Sequence, residues 1–464
     1  MERHRSHPSA TRLHLFDAGW LWLESDSNLM HASVLAVCRK PEGCEEDFVP
    51  QLVANLRSHR APAPPYDVRL RPAARGLAWP RWESVDVLDT DHHVRYLSLL
   101  DGDGLLDVVS RLQGIPLDRA TPLWTVHVIE GFDDENFAVF GKLHHAIADG
   151  MTGAELLRRW FSEDPAETAK PPVWSVRPTR TARQATAGRS RRVLGPIVSA
   201  GHLIASIPAM VRAARVAPTG SATRPWTGPR TALNSVIDAE RRIATRSFEI
   251  DEFRAVAQAV GGTINDVLLA ACSGALRGYL TESCALPKTP LVTNIPISIR
   301  HRAHYEHAGN AITWARIALG TDTADPGHRL ESIVAATRAV KARLSRLRGP
   351  ALTAYTLLVT LPILLEHLLR LGGRARPLFN VPVSNVPGPA NPLYLNGSEV
   401  VSLHAMTVLY NGQGLNVVCL SYGTRLEVCF TACPAAVPDV DRLAELCDQS
   451  FTELRHLYQP RNEG

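Results

Sequence analysis

Seven consecutive residues, His144 to Gly150, contain two histidines, an aspartate and a glycine. Histidine is the side chain whose ordinary pKa lets it accept and release a proton near neutral pH. The apolar run Phe137 to Phe140 before the histidines predicts a buried strand, and Thr152 to Glu155 behind them has the Thr-x-x-Glu form of a capping box. The pattern therefore places the histidines in a short strand-to-helix connection, where rigid elements can position reactive side chains.

Strand geometry separates the two histidines. Adjacent strand residues point to opposite faces, so only one of His144 and His145 is expected to face a given cavity. The same geometry argues against a metal site built from both histidines and Asp149. The sequence has no Gly-x-Ser-x-Gly elbow and no glycine-rich phosphate loop, so a hydrolase triad and a nucleotide site lack support. A hydrogen-bonded turn without chemistry is the alternative to a catalytic role.

The remaining chemistry is that of a single general base acting on a hydroxyl or amine nucleophile. The acyl donor must then arrive activated, for example as a thioester. The reaction passes through a tetrahedral oxyanion, which needs a hydrogen-bond donor fixed nearby. Asn265, Ser384 and Asn385 are the polar candidates, although caps and turns are the commoner roles of Ser and Asn. We expect Asp149 to order the loop and to pair with Arg300.

The elements around these residues are a mixture of helices and strands with hairpins, which favours an α/β arrangement with mixed sheets. Thr125 to Leu143 predicts a hairpin that delivers the histidines at its end. Thr263 to Asp266 opens a helix after a Gly-Gly stop. The segments 401–410, 415–422 and 425–431 predict an antiparallel meander. A second histidine pair, His92-His93, lacks the Asp-Gly turn, and we interpret it as part of a solvated loop.

A chain of 464 residues is too long for one hydrophobic core. We predict an N-terminal domain at 1–165 that carries the histidine motif, a connector at 166–238, and a C-terminal domain at 239–464. Between Thr168 and Ile237 the sequence has no acidic residue, but it has ten arginines and Lys170. This connector is either a solvated linker or a segment that attracts the anionic phosphates of a substrate or of lipid head groups.

Composition excludes several classes of protein. The net charge of +4 does not indicate a nucleic-acid partner. The eight cysteines are scattered, which favours reduced thiols over a disulfide framework and over a metal site. No apolar signal core follows the basic N-terminus, so we expect a cytosolic protein. Pro362, Glu366 and His367 interrupt the apolar stretch 351–369, which is therefore expected to be a core helix or a helix on a membrane surface.

The motif His-His-x-x-x-Asp-Gly at 144–150 resembles the signature of the bacterial wax ester synthase/acyl-CoA:diacylglycerol acyltransferases, and the resemblance extends along nearly the whole chain. The other matching segments are Asp17, Leu23-Glu24, Met30-His31, Pro116 to Arg119, Pro122 to Trp124, Asn265-Asp266, Pro296 to Arg300, Gly309-Asn310, Asn385 to Pro389, Tyr410-Asn411, Gly414 to Asn416 and Ser421-Tyr422.

The resemblance implies the two-domain, chloramphenicol acetyltransferase-like fold of the CoA-dependent acyltransferases, with a channel between the domains. It implies that His145 deprotonates the acceptor alcohol, which attacks the acyl-CoA thioester and expels CoA. The supporting residues that it implies are His144, Asp149, Gly150, Asn265 and Asp266.

Substrate contacts are expected from Pro122, Trp124, Ser384 and Asn385. Thr121 and Thr125 stand where members of the family often carry an arginine and a glutamate, so substrate preference does not transfer through this loop.

The implied substrates are acyl-CoA and either diacylglycerol or a long-chain alcohol, with no separate cofactor. These acceptors are insoluble in water, so we expect a cytoplasmic protein that is peripheral on the inner membrane face or on lipid droplets. Two alternatives remain at this point. One is a non-catalytic module that keeps the fold, and the other is an acyltransferase that takes its acyl group from a carrier-protein thioester.

Overall fold

The computed structural model describes residues 11–13, 15–71, 79–100, 102–148, 153–177, 228–298, 312–346 and 350–458. The chain divides into two units, the first formed by residues 1–184 and 388–408 and the second by residues 185–387 and 409–464. The predicted boundaries assign residues 388–408 to the C-terminal domain, whereas the structure groups them with the first unit. Most of the predicted connector, 166–238, lies outside the described residues, so its role stays a prediction.

The strands of the described residues are β1 (Thr11–Arg12), β2 (His31–Arg39), β3 (Val68–Leu70), β4 (Arg81–Ser84), β5 (Val94–Ser98), β6 (Trp124–Glu130), β7 (Asn136–His144), β8 (Arg242–Glu249), β9 (Val292–Ser298), β10 (Ile312–Ala318), β11 (Val381–Val386), β12 (Tyr394–Leu395), β13 (Ser398–Met406), β14 (Leu415–Tyr422) and β15 (Arg425–Ala432).

The helices are α1 (Leu15–Leu23), α2 (Phe48–Ser58), α3 (Thr90–His93), α4 (Leu105–Gln113), α5 (His145–Ala148), α6 (Gly153–Trp160), α7 (Ile250–Ala259), α8 (Ile264–Glu282), α9 (Pro326–Arg346), α10 (Pro350–Leu368) and α11 (Val440–Tyr458), with a 3₁₀ turn at Ala232–Asn234.

The first unit is built on a six-stranded sheet in the order β12-β13-β2-β7-β6-β5. Only β5 and β6 run parallel to each other, so the sheet is mixed. β6 and β7 are buried along almost their whole length, including the polar residues Thr125, His127 and Lys142. The predicted hairpin is confirmed, because β6 and β7 pair in antiparallel register from Trp124–Leu143 to Ile129–Ala138. A separate three-stranded sheet has the order β1-β4-β3.

The second unit has its own mixed sheet, in the order β10-β9-β11-β14-β15-β8, where β11 runs parallel to both of its neighbours. The α8 helix packs against α9 and α11. Its residues from Asp266 to Ser273 are all buried, as expected of a helix enclosed by the core. Phe253 and Phe451 stack in that core, with ring centroids 3.9 Å apart. The predicted α/β class with mixed sheets is confirmed in both units.

Two local predictions are wrong. The strand predicted at 401–410 does not join a meander with 415–422, because β13 pairs with β2 in the first unit. The alternation of a strand indicates which of its faces is buried but does not specify which strand it pairs with. The histidine pair 92–93 is not a solvated loop either. His93 is 1% exposed and its ring stacks on Trp124, with centroids 4.3 Å apart.

Within the described ranges, no single helix has the length and apolar character needed to cross a membrane. The bent pair Ile250–Ala259 and Ile264–Glu282, at 96°, passes that test by length and composition only. Its second helix is mostly buried and contributes nine residues, from Val267 to Leu280, to the core described above.

Candidate active site

The two histidines mark the junction between a central strand and a short helix. β7 ends at His144 and α5 begins at His145. The His144 backbone N–H donates to the Leu123 carbonyl at 3.0 Å, and that of His145 donates to the Met30 carbonyl at 2.9 Å. At this junction the backbone therefore hydrogen-bonds to segments on both sides of β7. These bonds fix the backbone positions from which the two imidazole side chains extend.

Gly141 allows the following helix to lie against this strand. A Cβ atom at position 141 would overlap the ring of Trp160, the last residue of α6. A position that requires such close approach accepts glycine only. The glycine thus sets the path of the chain after the histidine motif.

The His144 side chain is completely buried, with one ring nitrogen hydrogen-bonded and the other at ion-pair distance from a carboxylate. Its Nδ1 accepts the Ala146 backbone N–H at 3.0 Å, so Nε2 is the nitrogen that carries the proton. Nε2 lies 3.3 Å from Oε1 of Glu24. Both ring nitrogens of His144 therefore face groups of the protein, and the position of the imidazole is set by them.

Glu24 links His144 to Arg119. The guanidinium donates to Oε2 of Glu24 from Nε at 2.9 Å and from Nη2 at 2.6 Å, and Nη2 also donates to the Leu21 carbonyl at 3.0 Å. Burial raises the pKa of Glu24, but His144 and Arg119 lower it by more, so the pKa lies below its ordinary value. Glu24 is consequently a carboxylate at neutral pH, and it supports His144 through charge-assisted contacts.

His145 lies on α5 and not on the strand, contrary to the premise of the prediction, and it has a different environment from His144. Its half-buried ring stacks on Trp20 of α1, with centroids 4.6 Å apart and planes 20° apart. Around this pair, α1 and α5 share a small apolar cluster that contains Ala18, Leu21, Ala146 and Ile147. Packing on an indole restricts the imidazole to one plane, which is the preorganisation that a general base needs.

Three residues of the predicted site, Asp149, Gly150 and Arg300, lie outside the described residues. Their roles in ordering the loop stay predictions.

Pro122 and Trp124 are both buried, and the Trp124 Nε1–H donates to the Tyr66 carbonyl at 3.1 Å. The Trp124 ring also stacks on Trp174, with centroids 5.3 Å apart. Its indole is part of the core of the first unit, which leaves only 2% of the residue exposed to any ligand.

In the second unit, Asp266 lies at the start of α8. Its Oδ2 accepts both the backbone N–H and the hydroxyl of Thr263 at 2.8 Å, and the residue is 2% exposed. This is the capping-box arrangement, which satisfies orphan donors at the start of a helix. Asp266 therefore has a structural partner of its own, and the half-buried Asn265 precedes it on the same first turn.

A cavity of ≈ 410 Å³ opens beside this helix start. Gly261, Gly262, Thr263 and Asp266 line one side, and the side chains of α9, including Arg338 and Lys341, line the other. Arg338 reaches across and donates from Nη2 to the Gly261 carbonyl at 2.9 Å. The cavity thus carries both a carboxylate and two cations.

Ser384 and Asn385 lie on β11, opposite Val418 and Cys419 of β14. Both are half-buried, and among the described residues neither side chain has a hydrogen-bond partner. Because they are adjacent on a strand, they point to opposite faces of the sheet. Only one of them can therefore serve as donor to any one oxyanion.

Sequence reasoning assigned no role to Glu24, Arg119 or Trp20. Glu24 and Arg119 appeared only as parts of matching segments, and they lie 95 residues apart. No periodic pattern joins residues at that distance. The available signal was the charge of Glu24, which follows the apolar run Trp20 to Leu23 and therefore calls for a partner when buried.

Comparison with known proteins gives the class first and then the family. The first condensation domain of the CDA synthetase shares the fold, with a TM-score of 0.56 at 15% identity over 98% of this chain and 97% of that one. The chain therefore shares the fold of that condensation domain, and the predicted two-domain α/β fold with mixed sheets is confirmed.

Two family models match most of the chain: the wax ester synthase/diacylglycerol acyltransferase catalytic domain at residues 13–268 and the WS/DGAT C-terminal domain at 308–455. The chain belongs to this family, which confirms the resemblance.

Similar proteins include a putative diacylglycerol O-acyltransferase of Mycobacterium tuberculosis, 35% identical over 94% of this chain and 98% of that protein. The O-acyltransferase WSD of Acinetobacter baylyi is 34% identical over 93% and 94%. The solved wax ester synthase/diacylglycerol acyltransferase of Marinobacter aquaeolei superposes with a TM-score of 0.76 at 30% identity, over 97% of this chain and 100% of that one.

Proposed function

We propose that this protein is an O-acyltransferase that moves a long-chain acyl group from acyl-CoA to diacylglycerol, giving triacylglycerol. Long-chain alcohols are alternative acceptors and would give wax esters. One observation carries the proposal: in a chain of this family, His144 is locked by Glu24 and the adjacent His145 is stacked on Trp20. A fixed imidazole next to an oriented one is the arrangement expected for a single general base.

The reaction follows from this division of roles. His145 accepts the proton of the acceptor hydroxyl while the oxygen attacks the thioester carbonyl of acyl-CoA. The tetrahedral oxyanion collapses, the C–S bond breaks, and the CoA thiolate takes the proton back from His145. Asn265 and one of the two β11 residues, either Ser384 or Asn385, are the proposed donors to the oxyanion. No separate cofactor takes part, because CoA enters and leaves as part of the substrate.

His144, Asp149 and Gly150 support the base. His144 fixes the end of β7 through its contacts with Ala146 and Glu24. Asp149 is proposed to order the loop with Arg300, and Gly150 to permit the turn. Asp266 supports activity indirectly, since it caps the helix on which Asn265 lies.

Both proposed acceptors are insoluble in water, so the enzyme must meet them at a lipid surface. We place it in the cytoplasm, peripheral on the inner membrane face or on lipid droplets. The acid-free connector and the apolar stretch of α10 are the segments whose composition supports such contact.

The test is thiol release from palmitoyl-CoA with diacylglycerol or with a fatty alcohol, with the lipid products separated. His145→Ala should lower kcat about a hundredfold or more, because a positioned general base contributes at least that much. His328→Ala, at an exposed histidine of α9, is the matched control and should behave as wild type. Equal rates for wild type and His145→Ala would overturn the proposal. Transfer from a loaded carrier protein, with none from free acyl-CoA, would identify a different donor.

A further inference from the structure

One face of α10 carries a row of exposed leucines. Leu361 and Leu365 are 48% and 42% exposed, and Leu369 and Leu371, just after the helix, are 63% and 38% exposed. The first three are spaced by four residues, so they lie on one side of the helix. These four residues are called the leucine ridge below. Leucines this exposed and this close together form a contiguous apolar patch, which is typical of interaction surfaces.

The opposite side of the same helix is packed into the second unit. Tyr355 is 7% exposed and belongs to the main core, and Glu366 is 9% exposed. Ile363 packs against a small cluster of Val292, Leu378 and Phe379. The helix is therefore held by its inner face, and the leucine ridge remains on the outer one.

The end of α10 places a cation within the ridge. The Leu371 N–H donates to the Glu366 carbonyl at 2.8 Å and the Arg370 N–H to the His367 carbonyl at 3.0 Å, which is the Schellman pattern. Arg370 has a φ of 51°, a left-handed conformation that glycine ordinarily supplies. The fold thus accepts strain at this position, and an arginine lies between two exposed leucines.

The charge around the ridge has one sign. From Pro350 to Arg376 the single acidic residue is Glu366, which is buried. Arg370 and Arg374 are exposed, and no carboxylate of the described residues lies within ion-pair distance of either. Leucines flanked by unpaired arginines are the composition of a surface that enters the boundary between anionic head groups and acyl chains.

We propose that the leucine ridge, with Arg370 and Arg374, docks this protein on the surface of an anionic lipid bilayer. The inference rests on the proposed function, since it names the surface by which the enzyme reaches its lipid acceptor. A second copy of the chain fits less well. A two-fold contact would bring each patch against itself and set the arginines of the two copies near one another.

The test is flotation of the full chain with vesicles of phosphatidylcholine alone or of phosphatidylcholine mixed with phosphatidylglycerol. Wild type should bind the mixed vesicles more tightly. Leu365→Ser combined with Leu369→Ser should weaken binding about tenfold or more, because two leucines no longer enter the bilayer. Arg370→Gln with Arg374→Gln should weaken binding to the mixed vesicles about tenfold and leave binding to phosphatidylcholine unchanged. Leu100→Ser, at a leucine of the first unit that is 78% exposed, is the control.

Thiol release with a short, water-soluble alcohol measures folding and chemistry without a lipid surface. The ridge variants should keep that activity and lose transfer to diacylglycerol in vesicles. Vesicle binding that is the same for wild type and ridge variants would overturn the docking surface, as would ridge variants that dissociate a dimer in sedimentation but bind vesicles normally. Ridge-dependent binding by a wild type that transfers to no acceptor would instead refute the proposed function and leave the docking surface standing.

Discussion

Each unit buries a carboxyl group, and the two groups behave in opposite ways. Glu24 of the first unit, whose side chain is 9% exposed, has a pKa below its ordinary value. Glu366 of the second unit, also 9% exposed, has its pKa raised from 4.5 to about 7. Burial raises the pKa in both places, but only Glu24 has partners that reverse the effect. The state of a buried carboxyl therefore depends on what it contacts.

The groups that contact each carboxyl explain the difference between the two pKa values. Glu24 receives two donors from Arg119 and lies next to His144. Arg316 only partly offsets the burial of Glu366, and its Nη2 donates to the Val359 carbonyl at 3.1 Å. Glu24 in the first unit is thus a carboxylate at neutral pH, next to the histidine that precedes the proposed base. Glu366 in the second unit is instead a carboxyl group whose pKa lies near neutrality. Changes at Glu24 should accordingly affect catalysis and stability, and changes at Glu366 should affect mainly stability.

The largest effect should come from Glu24→Ala. Removing the carboxylate removes two charged hydrogen bonds from the half-exposed Arg119 and leaves the buried Nε2 of His144 facing no carboxylate, so the unfolding free energy at pH 7 should fall by about 3 kcal/mol. kcat should fall as well, because His144 loses one of its two anchors. The measurements are urea denaturation and thiol release.

Glu399→Ala is the matched control for Glu24→Ala, since it breaks an exposed ion pair with Arg39 and should cost less than about 1 kcal/mol. Because the pKa of Glu24 is lowered, its contribution is present above the ordinary value of 4.5 and is lost as the pH falls through the lowered pKa. An equal loss of unfolding free energy in the two variants at pH 7 would mean that the contacts of Glu24 stabilise the fold no more than an exposed ion pair does.

Glu366→Gln should have the next largest effect and the opposite sign. Because the folded pKa is raised, the native state binds more protons than the unfolded state between pH 4.5 and about 7, so wild-type stability falls as the pH rises through that window. The variant removes this cost and should be more stable than wild type at pH 8 by about 2 kcal/mol, relative to their difference at pH 4.5. Urea denaturation at both values measures it.

Glu445→Gln, in an exposed pair with Arg442, serves as the control for Glu366→Gln and should show no such dependence between these two pH values. If Glu366→Gln had the same effect on stability at pH 4.5 and at pH 8, Glu366 would not titrate near neutrality and the comparison with Glu24 would fail.

Local sequence patterns predicted those parts of the fold and site that depend on neighbouring residues. The β6–β7 hairpin and the helix that opens at Thr263 follow from alternation and capping, whereas His145 begins a helix, so strand alternation does not account for its surroundings. The remaining features depend on contacts between distant segments. β13 pairs with β2, which is distant in sequence, and not with the strands that follow it. His93 is buried because its ring stacks on Trp124. Asp266 illustrates a further limit, since the motif marked the residue but not its role as a cap.

Trp20→Leu should affect catalysis more than stability. Leucine keeps an apolar side chain against α5 but removes the ring on which His145 stacks. An imidazole no longer held in one plane spends less time in a productive geometry, so kcat should fall about tenfold with little change in KM. Trp22→Leu is the control, because Trp22 is 50% exposed and stacks edge-on against Trp79. A shift in KM alone would mean that Trp20 contacts substrate and does not orient the base.

Asp266→Ala should have the smallest effect and should reverse the pattern of Trp20→Leu. Without the carboxylate, the Thr263 N–H and hydroxyl lose their acceptor, and the unfolding free energy should fall by about 1 kcal/mol. kcat per folded molecule should stay near that of wild type, because the residue acts by holding the start of α8. Asp251→Ala, in the exposed first turn of α7, is the control for general charge effects. A raised KM for acyl-CoA with unchanged stability would contradict this, and it would make the cavity between Asp266, Arg338 and Lys341 a substrate site in the second unit.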